Sequence, residues 1–349
     1  MIRLGLLGTG STTSVADWHT QGFLKDGRAR ICGVYNRTRD SGLRWAERFG
    51  LEVRLCGAVD ELLDCCDAVV ICTPNDSHLE YAMAALAAGK HILLEKPMTL
   101  SAGQARELAQ AAAEAGVLCR VGYVYRFSSL IQTARKQVRD RLGRVYTVDA
   151  SMGGGRLADP RVGMEWRMYA GPAGSGALHD FAGHLLDTAH FITGAPYTQV
   201  FCQKETFITG RNGAAGLEPV ETDDSASLCL RGGCGLGNLL VSRVGLGPMT
   251  IRIVGEGGMV RLSMGPEAGL AVWEKPVGEG YSGSERQLEL PRETVEDWFR
   301  AQAADFLDGI EGKTSLGASF SDGRYVDGLL SAALRSARSG RAEQAGEEA

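Results

Sequence analysis

A lysine, an aspartate and a histidine carry the most informative chemistry of this 349-residue sequence. Lys96 follows the apolar run 91–94, and the proline after it removes a backbone donor and ends the strand. Asp180 and His184 are four residues apart, hence on one face if 174–191 is helical. A carboxylate beside an imidazole fixes its tautomer and stabilises the imidazolium, as a general base requires. A buried histidine satisfied by a neighbouring aspartate is the alternative.

The histidines and cysteines do not form a metal-site pattern. His179 and His184 are five residues apart and point in divergent directions on a helix, unlike the pair of a helical zinc site. The nine cysteines are scattered, and no two have C-x-x-C spacing. We therefore expect no metal, and buried reduced thiols in a cytoplasmic protein.

Strands alternate with helices over the first third of the chain. Apolar runs at 2–7, 31–35, 68–72 and 91–94 are separated by helical patterns at 15–24, 81–88 and 102–115. This alternation predicts a parallel, doubly wound Rossmann sheet, whose ligands bind outside the carboxyl ends of the strands. Lys96 is therefore predicted to lie on the ligand side.

The first strand runs into a turn suited to a pyrophosphate. Gly8 permits the tight turn and Gly10 lets the backbone approach the phosphates, while the helix N-terminus supplies free N–H groups. Thr13 stands where a dinucleotide fingerprint has its third small residue. We expect the hydroxyls of Ser11, Thr12 and Thr13 to donate to phosphate oxygens.

The second strand ends in residues that favour NADP. An acidic residue here would bind the ribose 2′-hydroxyl of NAD, whereas an arginine accommodates the 2′-phosphate of NADP. The chain has Asn36 and Arg37, with Arg39 close behind. We expect NADP, or dual use of NADP and NAD; a solvated loop charge at Arg37 is the alternative.

The pattern changes after about residue 122, where strand-like runs follow one another across glycine-rich turns. Such a succession predicts a mostly antiparallel open sheet packed by helices, an α+β domain. We therefore predict a dinucleotide-binding Rossmann domain at 1–122, an α+β domain at 123–338, and a disordered tail at 339–349.

The composition is that of an ordinary globular protein. Hydrophobic residues make up 44% and charged residues 23%, and the formal net charge is −5. So small a charge, with no block of one sign, gives no support to binding of nucleic acid or a membrane surface. No apolar stretch approaches the roughly 20 residues that span a bilayer.

Three segments of the first half resemble the Gfo/Idh/MocA family of sugar and cyclitol oxidoreductases. They occur in the family's order and spacing, and they are Thr73-Pro74-Asn75-x-x-His78, Ala85-Leu86-x-x-Gly89-Lys90-His91 and Glu95-Lys96-Pro97. The resemblance implies that Thr73, Pro74 and Asn75 line the nicotinamide ribose. It also implies that Glu95 lies beside the cofactor and that Lys96 contacts cofactor and substrate. For His78, a cofactor contact and a packing or capping role both stay open.

The segment 174–191 is similar to the family's Gly-Gly-x-Leu-x-Asp-x-Gly-x-His-x-x-Asp signature. Asp180 and His184 fall at its catalytic positions, Ala182 replaces the usual glycine, and Asp187 is expected to be structural.

Other matches to the family lie outside that signature. The resemblance places Arg126, Trp166 and Arg167 on the substrate side, with a salt bridge across the domain interface the alternative for Arg126. It spans the chain to about residue 338. It implies that the domain at 123–338 serves substrate binding and dimerisation, and that the protein is a homodimer or homotetramer.

Together with the resemblance, these residues predict reversible hydride transfer between a carbinol carbon and C4 of a nicotinamide, and the resemblance implies that the substrate is a sugar or cyclitol. His184 is the predicted base, held and charged by Asp180, and Lys96 hydrogen-bonds the reacting oxygen; Lys96 as the base is the alternative. Two other functions stay open: an NAD-dependent glycosidase that oxidises its substrate transiently, and a non-catalytic sugar or nucleotide sensor on the same fold.

Overall fold

The computed structural model describes residues 1–10, 15–214, 216–274 and 285–346. Its α-helices are α1 (Val15–Asp26), α2 (Arg39–Phe49), α3 (Val59–Cys65), α4 (His78–Ala87), α5 (Ala102–Ala115), α6 (Ser129–Gln137), α7 (Ala170–Ala173), α8 (Gly183–Thr193), α9 (Val295–Ile310) and α10 (Phe320–Ser339). Its strands are β1 (Ile2–Leu7), β2 (Ala29–Tyr35), β3 (Arg54–Cys56), β4 (Ala68–Ile71), β5 (His91–Leu94), β6 (Cys119–Val121), β7 (Val145–Gly153), β8 (Tyr197–Glu205), β9 (Gly210–Gly213), β10 (Gly216–Pro219), β11 (Ser225–Gly232), β12 (Gly235–Ser242), β13 (Thr250–Gly255), β14 (Gly258–Ser263), β15 (Gly269–Glu274), β16 (Glu285–Leu288), β17 (Ala318–Ser319) and β18 (Glu343–Gln344).

The chain divides into two compact units whose limits differ from the predicted domains. The first unit comprises Met1–Phe127 and Glu293–Arg324, and the second comprises Ser128–Arg292 and Tyr325–Ala349. The predicted cofactor domain, 1–122, lacks the segment that carries α9. That helix belongs to the first unit, and its buried side chains recur every three or four residues, at Phe299, Gln302, Ala303, Phe306 and Leu307.

Local interactions fix where α9 begins and what it packs on. A capping box starts the helix: the Asp297 amide donates to Thr294 Oγ1 at 3.4 Å, and the Thr294 amide donates to Asp297 Oδ2 at 3.0 Å. Further along, the ring of Phe306 packs edge-on against Phe23 of α1, with centroids 6.2 Å apart. The apolar face of α9 therefore covers the helix that follows the glycine turn.

The first unit is built on a seven-stranded sheet in the order β17-β6-β5-β4-β1-β2-β3. β1 to β6 are mutually parallel, and only β17 runs antiparallel, beside β6. All four residues of β4 are buried, as expected of a parallel strand covered on both faces. The predicted doubly wound sheet is confirmed. Its strand order reverses between β1 and β4, so the ends of these strands flank the crevice where such sheets bind ligands.

The second unit is built on a nine-stranded sheet in the order β16-β15-β14-β13-β7-β12-β11-β8-β18. Every neighbouring pair is antiparallel except β7 and β12, which are parallel. Along β11 the buried residues Ala226, Leu228 and Leu230 alternate with exposed ones, so one face of the sheet is buried and the other is open. The predicted mostly antiparallel sheet is confirmed.

The chain end differs from the prediction of a disordered tail at 339–349. β18 pairs antiparallel with β8, and the Ala345 amide donates to the carbonyl of Thr198 at 2.8 Å. The unpaired backbone groups of an edge strand explain why the end of the chain adds to the sheet there. Residues 347–349 lie outside the described part. Among the described residues, no helix has both the length and the apolar character needed to cross a bilayer.

Candidate active site

The glycine turn after β1 has the geometry that a dinucleotide requires. Gly8 and Gly10 have φ values of 83° and 70°, a region that residues with a Cβ rarely adopt. A Cβ on Gly8 would lie 2.8 Å from Cγ2 of Thr73, so the turn packs directly against the loop after β4. Bare backbone at this crevice fits a pyrophosphate. The other predicted phosphate ligands, Ser11, Thr12 and Thr13, lie outside the described residues.

Asn36, predicted to face the ribose, braces this turn. Its Oδ1 accepts a hydrogen bond from the Thr9 amide at 2.8 Å, and its Nδ2 donates to Thr9 Oγ1 at 2.8 Å. The side-chain amide is therefore engaged in shaping the turn that precedes α1. Arg37, the next residue, is exposed.

His78, predicted to bind cofactor or to pack, ties two site loops together. Its Nδ1 lies 2.8 Å from the carbonyl oxygen of Pro97 and its Nε2 lies 3.0 Å from that of Thr73. Burial lowers the pKa of the fully buried ring, and the two carbonyl contacts oppose this effect. His78 therefore joins the loop of Thr73, Pro74 and Asn75, after β4, to the loop of Lys96, after β5.

Glu95 is a buried carboxylate immediately before Lys96. Only 6% of the residue is exposed, its Oε2 accepts the backbone N–H of Lys96 at 3.2 Å, and its Oε1 lies 2.8 Å from His19 Nε2. Burial would raise the pKa of this carboxyl, but the hydrogen bond and charge of His19, followed by the charge of Lys96, lower it overall. Lys96 itself is partly exposed. The structure thus places a hydrogen-bonded carboxylate and a partly exposed lysine at the end of β5.

The sequence patterns did not identify His19. It lies on α1, 76 residues before Glu95, and its ring meets Phe299 of α9 edge-on at 4.8 Å. The only sequence signal is a histidine on an otherwise core-facing stripe of a helix that starts at a nucleotide-binding turn.

Arg126 is not placed as an open substrate ligand. Its side chain is 6% exposed, and Nη2 lies 3.2 Å from Asp322 Oδ1, a residue of the same unit. Burial would raise the pKa of Asp322, yet the charge of Arg126 and hydrogen bonds from Ser319 lower it overall. The predicted alternative of a salt bridge is observed, but within the first unit and not across a domain boundary.

In the second unit, Asp180 and His184 lie at a break in helical regularity. The helix predicted over 174–191 is not continuous, because Leu178–Ala182 forms a π-helical turn and α8 begins at Gly183. Such wide turns, with i→i+5 hydrogen bonds, recur at functional sites. Asp180 is in the middle of the turn and His184 in the first turn of α8. Asp187, expected to be structural, is buried.

Asp180 adjoins two of the other residues predicted on the substrate side. Its Oδ2 lies 3.7 Å from Nε of Arg167, whose guanidinium lies 4.5 Å from the ring centre of Trp166. The side chains of Asp180 and Arg167 are 33% and 42% exposed. An ion pair this open contributes at most about 1 kcal/mol, so either partner can exchange it for a polar ligand. Trp166, Arg167 and Asp180 therefore form one accessible polar surface.

Asp223 is a second residue that sequence reasoning missed. Its carboxylate accepts the backbone amides of Gly176 and Leu178, each at 2.9 Å, and the hydroxyl of Ser175, while Lys204 Nζ lies 3.5 Å away. Burial would raise its pKa, but the hydrogen bonds from Ser175, Gly176 and Leu178 and the charge of Lys204 lower it overall. Asp223 therefore anchors the glycine-rich segment that leads into the Asp180 turn.

The backbone of Arg167 is held by a buried ion pair. Arg243 Nε donates to Asp224 Oδ1 at 2.8 Å, and both side chains are at most 4% exposed. Nη1 of Arg243 also donates to the carbonyl of Arg167 at 3.3 Å, and Thr222 Oγ1 donates to the same carbonyl at 2.9 Å. These hydrogen bonds fix the backbone of Arg167, whose guanidinium faces Asp180.

Arg211 organises the loop that precedes Trp166. Its guanidinium is buried and donates to the carbonyl oxygens of Asp159 at 2.8 Å, Val162 at 3.0 Å, and Leu157. One side chain therefore binds three backbone carbonyls of a segment that sequence reasoning could describe only as a glycine-rich loop.

These two sets of residues, a nucleotide crevice in one unit and a polar surface in the other, are those of a dinucleotide-dependent enzyme. Two family models match the chain. The one described as oxidoreductase family, NAD-binding Rossmann fold, covers residues 2–123, and the GFO/IDH/MocA C-terminal domain covers residues 131–261. The chain belongs to the Gfo/Idh/MocA family of oxidoreductases, as the sequence motifs predicted, and it carries a nicotinamide-nucleotide fold.

Several relatives and one solved structure are similar to the chain. It is 30% identical to levoglucosan dehydrogenase of Pseudarthrobacter phenanthrenivorans over 178 residues, 47% of this chain and 45% of that one. It is 26% identical to inositol 2-dehydrogenase of Rhizobium meliloti over 348 residues, 96% of each. Among solved structures, an oxidoreductase domain protein from Kribbella flavida has a TM-score of 0.89 and 29% identity, covering 99% of both chains. The match to the first relative therefore spans less than half of that protein.

Proposed function

We propose that the chain is an NAD(P)-dependent dehydrogenase or reductase that acts on a carbinol or keto carbon of a sugar, cyclitol or sugar derivative. The observation that carries the proposal is the match to both domains of one oxidoreductase family in a chain that also holds Lys96, Asp180 and His184. Two relatives named as dehydrogenases of an anhydrosugar and of an inositol support the substrate class.

The proposed mechanism assigns a task to each of the three residues. A bound nicotinamide supplies the hydride acceptor or donor. In the oxidative direction His184 takes the hydroxyl proton, and Asp180 stabilises the imidazolium that results. Lys96 donates a hydrogen bond to the reacting oxygen and stabilises the negative charge that develops there. The mechanism requires the end of β5 and the Asp180 turn to meet at one substrate.

Substitution of each residue tests this assignment. We expect Lys96→Ala and His184→Ala each to lower kcat by at least about 10²-fold, because a positioned acid or base contributes that much. Reduced-cofactor fluorescence should show that the cofactor still binds. Lys90→Ala is the matched control, since Lys90 precedes β5 at the opposite end of the same strand. Near-normal turnover of either variant would remove that residue from the mechanism.

The choice of base is tested by the pH dependence of kcat. If His184 is the base, the acidic limb of the kcat profile disappears in His184→Ala while it persists in Lys96→Ala. If Lys96 is the base, the pattern is reversed.

We propose NADP as the favoured cofactor. Support comes from the end of β2, where residues 36–39 carry two arginines and no carboxylate, and where Arg37 is exposed while Asn36 is bound to the turn. Arg37→Asp should shift the ratio of kcat/KM for NADP over NAD by about tenfold or more towards NAD, because one phosphate contact is replaced by a repulsion. A wild-type protein that clearly prefers NAD would contradict the proposal.

Two other functions are separated by one spectrophotometric assay. Net formation of reduced cofactor with free polyols supports the dehydrogenase. Aglycone release from a glycoside without net reduction supports an NAD-dependent glycosidase, and ligand binding without either reaction supports a sensor.

The open face of the second unit's sheet supports a proposal of self-association. Tyr146, Leu236 and Leu240 lie on β7 and β12 and are 47%, 57% and 45% exposed. We expect a homodimer or homotetramer by light scattering, and Leu240→Lys should shift it towards monomer. A monomeric wild-type protein would contradict this.

The cytoplasmic location stays a prediction that rests on nine cysteines, none of them in a disulfide.

A further inference from the structure

We propose that His19 is a positioning residue of the cofactor-side site: it holds the buried carboxylate of Glu95, and through that carboxylate it fixes the backbone that carries Lys96. The proposal deepens the proposed function, on which its effect on turnover rests, but its effect on cofactor binding is measured independently of any sugar.

Direct contacts carry the first step. His19 is 2% exposed and Glu95 is 6% exposed, so neither side chain has bulk water to satisfy it. Nε2 of His19 lies 2.8 Å from one carboxylate oxygen, and the other oxygen accepts the Lys96 amide at 3.2 Å. One carboxylate thus bridges an imidazole on α1 and the peptide group of Lys96. Rotation of the carboxylate would break both contacts.

The surroundings allow this one orientation. A Cβ on Gly122 would lie 2.5 Å from Oε1 of Glu95, so the bare backbone after β6 makes the space in which the carboxylate lies. On the other side, α9 approaches α1 so closely that a Cβ on Gly22 would lie 2.6 Å from the carbonyl oxygen of Phe299. The Phe299 ring then meets His19 edge-on. Three elements therefore confine the pair.

Charge explains why the pairing matters. The pKa of the Glu95 carboxyl is lowered although burial opposes this, and the hydrogen bond from His19 is the largest cause of the lowering. A buried carboxylate that loses its hydrogen-bond donor must take up a proton or turn towards a different donor. Either change breaks the hydrogen bond to the Lys96 backbone amide. The backbone that carries the Lys96 ammonium is then no longer fixed. His19 itself is too deeply buried to be assigned a contact with substrate.

The experiment compares variants that keep or remove the donor. In His19→Gln the side-chain amide nitrogen is as many bonds from Cα as Nε2 of histidine; His19→Asn is one carbon shorter, and His19→Leu has no donor. We expect His19→Leu and His19→Asn to lower kcat by about 10-fold to 100-fold, the worth of a hydrogen bond to a charged group. Under the same conditions, His19→Gln should stay within about threefold of wild type.

A double-mutant cycle with Glu95→Gln separates positioning from general stability. If His19 acts through Glu95, adding His19→Asn to Glu95→Gln should lower kcat by less than about threefold further. Fully multiplicative losses would overturn the proposal, because they would show that His19 acts elsewhere. Urea unfolding of every variant identifies those that are merely unstable, and the Asn and Gln pair, which differ by one methylene, keeps the comparison valid if the Leu variant does not fold.

The dissociation constant of the reduced cofactor, followed by its fluorescence, is the second readout. His19→Asn should weaken binding by about tenfold and His19→Gln by less than about threefold. If no polyol is turned over but this difference is found, the proposed function fails and the role of His19 stands. If wild type turns over a polyol while His19→Asn matches it in kcat and in cofactor binding, the role of His19 is refuted and the function stands.

Discussion

Replacing Asp223 by asparagine tests how the Asp180 turn is held. The carboxylate receives four donors: a hydroxyl, two backbone amides and an ammonium. Asparagine keeps one oxygen, which can still accept from Ser175 and Gly176. Its amide nitrogen, however, faces the N–H of Leu178, so donor meets donor and a buried N–H loses its acceptor. We expect a destabilising effect because the substitution preserves shape but inverts half of the hydrogen bonding.

The size of the effect follows from these contacts. An unsatisfied buried N–H costs about 1–3 kcal/mol, and the remaining bonds lose the strength that a charged acceptor gives them. We expect the free energy of unfolding to fall by about 2–4 kcal/mol. A domain whose free energy of unfolding is a typical 5–15 kcal/mol stays folded after such a loss. Asp149→Asn is the matched control: Asp149 pairs with Arg252 at 2.9 Å, but both side chains are at least 50% exposed, so the loss should stay below about 1 kcal/mol.

Urea unfolding gives the global value, and amide hydrogen exchange gives the local one. In Asp223→Asn the amides of residues 174–184 should exchange about thirtyfold faster or more, whereas those of β14 should change little. The pKa of Asp223 is lowered in the fold from an ordinary 3.8, so its stabilisation is complete above that value and is lost as the pH falls below it. The gap between wild type and Asp223→Asn should therefore narrow in acid. Exchange at 174–184 equal to that of Asp149→Asn would refute the anchoring role.

Three further predictions concern stability. A Cβ on Gly176 would lie 1.9 Å from the carbonyl oxygen of Asp223, so Gly176→Ala should lower the melting temperature sharply in circular dichroism. Gly171→Ala, where a Cβ has nothing within 4 Å, should not lower it. Equal melting temperatures would contradict the close packing at Gly176. Arg211→Met removes the donors of three loop carbonyls and should lower the free energy of unfolding in urea by about 2–4 kcal/mol. Arg161→Met, on the exposed side of the same loop, should leave the urea midpoint nearly unchanged. Similar losses in the two variants would show that Arg211 does not organise the loop. Arg3 lowers the pKa of Asp67 to about 2 through a hydrogen bond, so the stabilisation is complete above 3.8 and is lost as the pH falls through 2. Because both side chains are more than a third exposed, Asp67→Asn should cost less than about 1 kcal/mol at pH 7 and only a small part of that at pH 2. A larger loss at pH 2 than at pH 7 would contradict the direction of the effect.

What the sequence predicts well is what local patterns encode. Alternating apolar runs and helices predicted the parallel sheet, because β4 and β5 must be apolar on both faces and α5 must show a helical repeat. The glycine turn and the lysine at the end of β5 followed from backbone requirements at a strand end. Each of these inferences needs only a few neighbouring residues.

What it predicts poorly is set by partners distant in sequence. The π-helical turn at Leu178–Ala182 has no local signal, since the same residues also suit an α-helix. The start of this turn is held by Asp223, 45 residues after Leu178, whose carboxylate accepts the backbone amides of Gly176 and Leu178. Likewise α9 is amphipathic in sequence, but only tertiary packing shows that its partner is α1.

The same reasoning explains the contacts that several of the predicted residues make. A polar side chain near a ligand crevice must satisfy its own hydrogen bonds first, so Asn36 binds Thr9, His78 binds two carbonyls and Arg126 binds Asp322. Lys96 and Asp180 are only partly exposed, and neighbouring residues hold the backbone beside each of them. A sequence motif therefore indicates the region of a site. Burial then separates the side chains that are open to a ligand from those that fix the surrounding backbone.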